Sequence, residues 1–458
     1  MTKKFEQIPV IKGQEIETEI IDLAHGGNSV AKHDTFTLFI PYGVPGDKVK
    51  VKITDVKKNF ANAEIESIIT PSALRIIPPP CPYFGQCGGC HWQNVAYNAQ
   101  LEFKLKSITS SLKKIAGLTI ETPEIKGYEN PFSYRDRSQY KLAQGEDTVM
   151  MGFYRAGSHD VIDVQKCLIQ KEVINHVMAG AREFLAANKN TSLSMYDESR
   201  ASGALRYLTA RVNSTGECLF TVITHEKRRN DSIEKFAKYM KENYSEIKGV
   251  VMNVNPLTGN RIFGNREDTL AGEGSIREKI RGVEFELGAE TFFQVNTERL
   301  NDILDFIDAN IPEGDSVVDL YAGVGALSLP LHGKIRELKA VDVFYKSINS
   351  FRKAVETGQI ANAEIIKATA EAAADEVIQK GKTGTVIVDP PRKGLHKWVI
   401  QAIKKKRVEN LIYISCDPAT FARDLKELGD MYIIKKIEAV DMFPQTYHVE
   451  TLCALGLK

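Results

Sequence analysis

The sequence predicts three structural units in series: a small closed β-barrel, an α+β unit that carries a cysteine loop, and a doubly wound α/β domain. Three observations carry this expectation. Residues 11–69 are rich in Val, Ile and Thr, with period-two stretches such as Lys48-Val-Lys-Val-Lys-Ile53. The segment Cys81-Pro-Tyr-Phe-Gly-Gln-Cys-Gly-Gly-Cys90 is too dense in Cys and Gly to be a regular helix or strand. From Pro312 onward, short apolar strands alternate with helical stretches, the pattern of a parallel sheet wrapped by helices.

The barrel comes first. Turn signals at His25-Gly-Gly-Asn28, Tyr42-Gly-Val-Pro-Gly-Asp47 and Lys57-Lys-Asn59 cut residues 11–69 into short strands. Closure into a barrel removes the edges that such strands would otherwise expose. Ile76-Ile-Pro-Pro-Pro80 is a stiff connector to the cysteine loop. Leu101, Leu105, Ile108, Leu112 and Ile115 then recur at helical spacing, predicting a helix over 97–115. The block 131–281 mixes strand-like runs, Cys218-Leu-Phe-Thr-Val-Ile223 among them, with a helix over 172–187. Boundaries follow at 1–72, 73–285 and 286–458, with the helical segment 93–126 expected to pack on the third unit.

Composition narrows the class. The 458 residues include 43% hydrophobic and 26% charged side chains, enough apolar material to offset ordering entropy, which argues against disorder. No stretch approaches the ~20 apolar residues of a membrane span, and the start MTKKFEQIPV lacks a signal-peptide core. A cytoplasmic protein is expected. There, seven cysteines read as metal ligands, a nucleophile and packing residues rather than disulfides. With 60 Lys+Arg against 59 Asp+Glu, any nucleic-acid surface must be local.

Chemistry concentrates in the third unit. Its first three strands each end in an acid, Asp319, Asp342 and Asp389, and ligands of open α/β sheets sit at those carboxyl ends. Asp319-Leu-Tyr-Ala-Gly-Val-Gly325 is a glycine turn, and Asp342 stands where an acid accepts from ribose hydroxyls. The third Rossmann glycine and a Gly-Lys-[Ser/Thr] phosphate loop are both missing, so S-adenosylmethionine fits better than a dinucleotide or nucleoside triphosphate. Cys416 follows the fourth strand, at the same rim. Nearby Arg392 and Lys393 would favour its thiolate, although a lone Cys after an apolar strand is more often a packing residue.

Phe292-Phe-Gln-Val-Asn296, Asp319 to Gly325, Asp389-Pro-Pro-Arg-Lys-Gly394, Ser415-Cys-Asp-Pro-Ala-Thr-Phe-Ala-Arg-Asp-Leu425 and Met442-Phe-Pro-Gln-Thr-Tyr-His-Val-Glu-Thr451 occur in that order. Together they resemble the RNA uracil-C5-methyltransferase family, and with the N-terminal features the resemblance covers nearly the whole chain. It implies a Rossmann-like class I methyltransferase domain in which Cys416 adds to uracil C6 and Glu450 removes the C5 proton. By the same matching Gln294, Tyr321, Asp342 and Asp389 contact S-adenosylmethionine, with orientation of the uracil edge as the alternative role of Asp389. Ala326 after the glycine turn and Ala368-Thr369-Ala-Glu371 depart from the family pattern on the adenine side.

Cys81, Cys87 and Cys90 need a fourth ligand, and Cys167 is available; four Cys suit zinc or a [4Fe-4S] cluster. The resemblance implies the cluster, in a structural or RNA-contacting role. Cys218 and Cys453 lie in apolar runs and read as core. The barrel is similar to the family's TRAM domain, an OB-like RNA-binding module, with His25, Lys32, His33, Lys57, Lys58 and Phe60 as candidate contacts. Tyr134, Arg135, Arg137, Lys141 and Arg155 are candidates in the middle unit, with Arg206 and Arg211 behind them. Lys404-Lys-Lys-Arg407 reads as a helix end whose cations offset the dipole. The resemblance favours 23S rRNA, with the tRNA T-loop uridine as the alternative. Amino-group methylation would want Asn/Asp-Pro-Pro-Tyr, and Arg392 in the fourth place together with Cys416 argues against it.

Overall fold

A computed structural model describes residues 8–146, 148–188, 193–225 and 230–458. Strands β1 (Glu15–Leu23), β2 (Ser29–His33), β3 (Phe36–Ile40), β4 (Lys48–Val56) and β5 (Phe60–Thr70) close a barrel in the order β1-β2-β3-β5-β4. Alternation does the sorting. In β4, Val49, Val51 and Ile53 point inward to Ile20, Leu38 and Ile40, while Lys48 and Lys52 face water. Each buried Val or Ile contributes roughly 1.5–3 kcal/mol. Asp47, fully buried, accepts from Arg75 Nε at 2.9 Å and from the Val44 and Ser72 amides, fixing the exit from the barrel.

Helix α1 (Tyr97–Ser111) ends in a single wide turn over Leu112–Ala116 and leads to strand β6 (Glu124–Lys126). A seven-stranded sheet follows, in the order β13-β12-β11-β10-β7-β8-β9. It is built from β7 (Arg137–Gln144), β8 (Val149–Tyr154), β9 (Val161–Asp163), β10 (Leu205–Val212), β11 (Cys218–Thr224), β12 (Ile247–Val254) and β13 (Arg266–Gly272). Helices α2 (Glu172–Ala187) and α3 (Asp231–Asn243) cover one face, with Cys218 in the core between them. Tyr207, Leu219, Ile223 and Val251 on the other face share a core with the hairpin β14 (Ile276–Ile280) and β15 (Val283–Leu287) and with helix α4 (Thr297–Asn310).

The C-terminal sheet combines β16 (Ser316–Leu320), β17 (Glu337–Asp342), β18 (Ala363–Lys367), β19 (Thr385–Val388), β20 (Asn410–Ser415), β21 (Tyr432–Val440) and β22 (Glu450–Leu457). Its order is β18-β17-β16-β19-β20-β22-β21-β6, parallel from β18 to β20, with β22 inserted antiparallel beside β20. Strands β16 and β19 are buried on both faces, which is why they read as continuous apolar runs. Helices α5 (Tyr345–Thr357), α6 (Ala370–Val377), α7 (Lys397–Lys406) and α8 (Pro418–Leu428) complete the layers. The segment 97–126 belongs to this body: Ile108 and Leu112 pack with Val318, Phe421 and Cys453, and β6 extends the sheet edge beside β21. No helix among the described residues is long and apolar enough to cross a membrane.

Candidate active site

At the carboxyl ends of β16 and β17 lies a cavity of about 660 Å³, lined by Tyr321, Asp342, Ala368, Thr369, Glu371 and His396 among others. The turn after β16 makes room for it. Tyr321 sits at φ 67°, a region that a non-glycine residue rarely enters, and such strain concentrates where a ligand is gripped. Gly325 has φ 83°, and a Cβ there would lie 2.6 Å from the Phe351 ring. Asp342 accepts from Gly323 N at 2.9 Å and Phe344 N at 2.7 Å, which leaves a lone pair on each oxygen free to face the cavity. Thr369 and Ala368, departures noted in the sequence, line the cavity, whereas Ala326 is packed in the core.

The other sequence candidates divide. Asp319 is buried, accepts from Ser328 Oγ at 2.6 Å and is pushed up to about 7 by burial and then by Asp389 and Asp342. It supports the turn rather than lining the cavity. Gln294 lies half-buried ahead of α4, outside that lining, and so does Asp389.

Asp389 instead faces the reactive pair. The β20–β22 ladder ends at the pair Ser415–Thr451, and Cys416 and Glu450 are the residues that adjoin this last pair, one just past β20 and the other at the start of β22. Burial pushes the Cys416 thiol up to about 12, Glu450 and Asp389 add to the rise, and Arg392 opposes it. Glu450 is buried and held well above its ordinary range by burial and by Asp389, with Arg392 again opposing. Burial lifts Asp389 to about 7. A thiol and two carboxyls thus raise one another's proton affinity while the exposed Arg392 opposes them, the kind of arrangement found at reacting centres. Arg392 Nη2 donates to His448 Nε2 at 3.1 Å. Burial first, then Arg392, lowers His448 to about 3, so the ring is a neutral acceptor. Lys393, the neighbour of Arg392, lines the cavity with Tyr321 and Asp342 instead.

The loop Asp441–Val449 delivers Glu450, and three parts of the chain hold it. Asp441 is fully buried and accepts from Lys104 Nζ at 2.6 Å and Tyr97 Oη at 2.9 Å. Gln445, at φ 68°, trades hydrogen bonds with Gln100, and its carbonyl accepts from His91 N and Trp92 N at 3.0 and 3.1 Å. Asn296 donates to the Met442 carbonyl at 2.9 Å and Tyr134 Oη to the Pro444 carbonyl at 3.1 Å. Sequence reading missed this clamp. Its one signal was two polar residues, Gln100 and Lys104, on the face that Ile108 and Leu112 continue at four-residue spacing, a face that is buried throughout.

Cys81, Cys87, Cys90 and Cys167 line one pocket of about 270 Å³, and Gly89 N–H donates to Cys87 Sγ at 3.4 Å. Among the described residues, no three His, Cys, Asp or Glu side chains converge closely enough for a single metal ion.

Several expected RNA contacts are structural. Arg206 and Arg211 are buried, the first donating to the Asn255, Leu257 and Gly259 carbonyls and the second to that of Thr291. Neither can reach a phosphate. Tyr134 is buried against the loop Asp441–Val449, Arg137 donates to the Ala289 carbonyl, and buried Lys141 pairs with Glu198 at 2.6 Å. A basic or aromatic residue on a strand does not reveal which face it occupies until the sheet order is known. Arg155 stays exposed, as do Lys32 and Lys58. Lys404 and Lys405 end α7 in ion pairs with Asp430 and Asp375, in line with a helix-end role.

Comparison with known proteins places these features. The profile of the tRNA (uracil-5-)-methyltransferase family matches residues 96–457, and that of the TRAM domain matches residues 9–65. An RNA methyltransferase of Listeria monocytogenes, itself uncharacterised, is 36% identical over 97% of this chain and 98% of its own. One from Synechocystis is 35% identical over 98% and 96%. The crystal structure of the Pyrococcus abyssi tRNA (uracil-54, C5)-methyltransferase with S-adenosyl-L-homocysteine superposes at a TM-score of 0.77, with 27% identity, over 96% of this chain and all of that one. Matched to this family profile over most of its length and to such relatives from end to end, the chain belongs to the S-adenosylmethionine-dependent RNA uracil-C5-methyltransferase family, with a TRAM barrel at its N-terminal side.

Proposed function

We propose that the chain methylates C5 of a uridine extruded from 23S rRNA, with Cys416 as nucleophile and Glu450 as general base. What supports this reading is that Cys416 and Glu450 adjoin the last β20–β22 pair, Ser415–Thr451, and bear electrostatically on one another. Uracil C5 is a weak nucleophile. Addition of the Cys416 thiolate to C6 forms an S–C6 bond and moves electron density to C5. When bound, S-adenosylmethionine would supply the methyl from its sulfonium, the C5–CH3 bond forming as the S–CH3 bond breaks and S-adenosylhomocysteine leaves. Glu450 then takes the C5 proton, the C5–C6 double bond re-forms and the thiolate leaves. Both faces of the ring must be reached, so the base leaves its stack.

Tyr321 and Asp342 hold the nucleoside of the cofactor. Gln294 and Asp389 are proposed to contact S-adenosylmethionine as well, with orientation of the uracil edge as the alternative role of Asp389, which lies outside that cavity lining. Asp342→Ala is expected to weaken S-adenosylmethionine binding by about 10- to 100-fold in calorimetry, the loss of hydrogen bonds to a charged acceptor.

The four cysteines are proposed to hold a [4Fe-4S] cluster. Four thiolates around one zinc lie about 2.3 Å from the metal with no void between them, whereas the pocket here has room for a larger body. Anaerobically purified protein should be brown with about four irons per chain; colourless protein with one zinc would refute the cluster.

A second RNA remains in contention for a specific reason. The Pyrococcus abyssi enzyme, named for a tRNA uridine, shares the architecture of this chain along its whole length. Labelling of 23S rRNA and tRNA transcripts with methyl-tritiated S-adenosylmethionine, followed by nucleoside analysis, decides between them. Label in 5-methyluridine of 23S rRNA is the expected result, label confined to tRNA selects the alternative, and none in either overturns the assignment.

A further inference from the structure

The turn between β1 and β2 of the barrel reaches the nucleophile. His25 Nε2 donates to Asp417 Oδ2 at 3.0 Å, a contact between residues 392 positions apart. Asp417 directly follows Cys416, and its second oxygen accepts from the Ala419 and Thr420 amides at 3.0 and 2.9 Å, capping α8. One carboxylate therefore ties the barrel to the helix that begins at the reactive thiol.

The turn is shaped for this approach. Gly26 and Gly27 have φ of 106° and 91°, and a Cβ on Gly27 would lie 2.7 Å from the His91 ring. The Gly27 carbonyl accepts from Trp92 Nε1 at 3.2 Å. The His25 ring meets Tyr447 edge-on at 5.3 Å, and Tyr447 lies 4.0 Å from His448, which holds Arg392. Charge points the same way. Asp417 bears on Cys416 as an anion that disfavours the thiolate, and the hydrogen bond from His25 stabilises and partly neutralises that anion.

We propose that His25 is a positioning residue for methyl transfer: through Asp417 it orients the Cys416 turn, so the barrel completes the active site in addition to binding RNA. The inference rests on Cys416 being the nucleophile. It differs from the role the sequence suggested for His25, a contact to RNA. An RNA contact would act on binding alone, whereas a positioning residue acts on the bound complex.

The test uses the full chain with His25→Ala, the bulk-preserving His25→Leu and the conservative His25→Gln. Steady-state kinetics are read together with the rate of Cys416 alkylation by iodoacetamide, followed peptide by peptide in the absence of RNA. His25→Ala and His25→Leu should each lower kcat about tenfold, as expected for one hydrogen bond to a charged group, with KM for RNA changed by less than about twofold. Cys416 alkylation should slow severalfold, and His25→Gln, whose amide N–H reaches the same carboxylate, should restore most of both. Unchanged S-adenosylmethionine affinity reports an intact fold; if one replacement fails to fold, the other decides. A raised KM for RNA with unchanged kcat and alkylation overturns the proposal. An active Cys416→Ala enzyme sinks the nucleophile reading itself, a failure separate from normal kcat in the His25 variants.

Discussion

Cys416→Ala should lower methyl transfer by more than about 10⁴-fold, the scale on which enzymes lose rate when a covalent nucleophile is removed. Binding of S-adenosylmethionine should survive, because the cavity lined by Tyr321 and Asp342 does not include Cys416. Glu450→Gln should behave differently. Addition and methyl transfer precede the step that needs the base, so this variant should accumulate a covalent protein–RNA adduct, visible as a shifted band that survives denaturing electrophoresis. The pH dependence follows in sign. Burial pushes Cys416 up to about 12, and the thiolate is the reactive form. In the free enzyme, its alkylation should therefore accelerate about tenfold per pH unit between roughly pH 7 and 9. A rate that is flat over this window would show that the thiolate is already formed without RNA.

Lys104→Ala should be the most destabilising single change in the clamp. Lys104 and Asp441 are both fully buried and 2.6 Å apart, so removing the cation leaves an uncompensated carboxylate in the core at a cost of about 3–5 kcal/mol. For a body of this size that corresponds to a fall in Tm of about 10 °C, measurable by calorimetry. Replacing both partners, as Lys104→Met with Asp441→Leu, should recover much of the loss because no unpaired charge remains. Recovery of stability without recovery of activity would show that the pair also sets the path of the loop leading to Glu450. Equal instability of single and double variants would instead assign the loss to packing.

Much of this architecture was legible in the sequence because it is written in local patterns. Strands β16 and β19 are short apolar runs ended by an acid, and α2 follows from one continuous periodic stretch. The barrel follows from alternation broken at glycine turns, and the ordered motifs around Cys416 and Glu450 marked the chemistry. Contacts without a local pattern were hidden. β6 is three residues long and has no periodicity to betray its place at the sheet edge. Arg206 looks like a surface cation until three backbone carbonyls are seen to satisfy it in the core. His25 and Asp417 are each ordinary turn and cap residues, and only the docking of the barrel gives them a joint role.

The insertion of β22 beside β20 has a consequence for how the enzyme can move. Directly opposed residues of neighbouring antiparallel strands lie about 5 Å apart, a separation set by the ladder of hydrogen bonds. The place of Glu450, in β22 and paired with Val440 of β21, is therefore a property of the sheet, whereas Cys416 lies one residue past the end of β20, in the turn that leads into α8. Any adjustment at the site therefore falls on the turn that holds Cys416, against a carboxyl fixed by the sheet. By the same token, a one-residue insertion between Glu450 and Leu455 would turn the carboxyl to the opposite face of the sheet while leaving every residue of the site present.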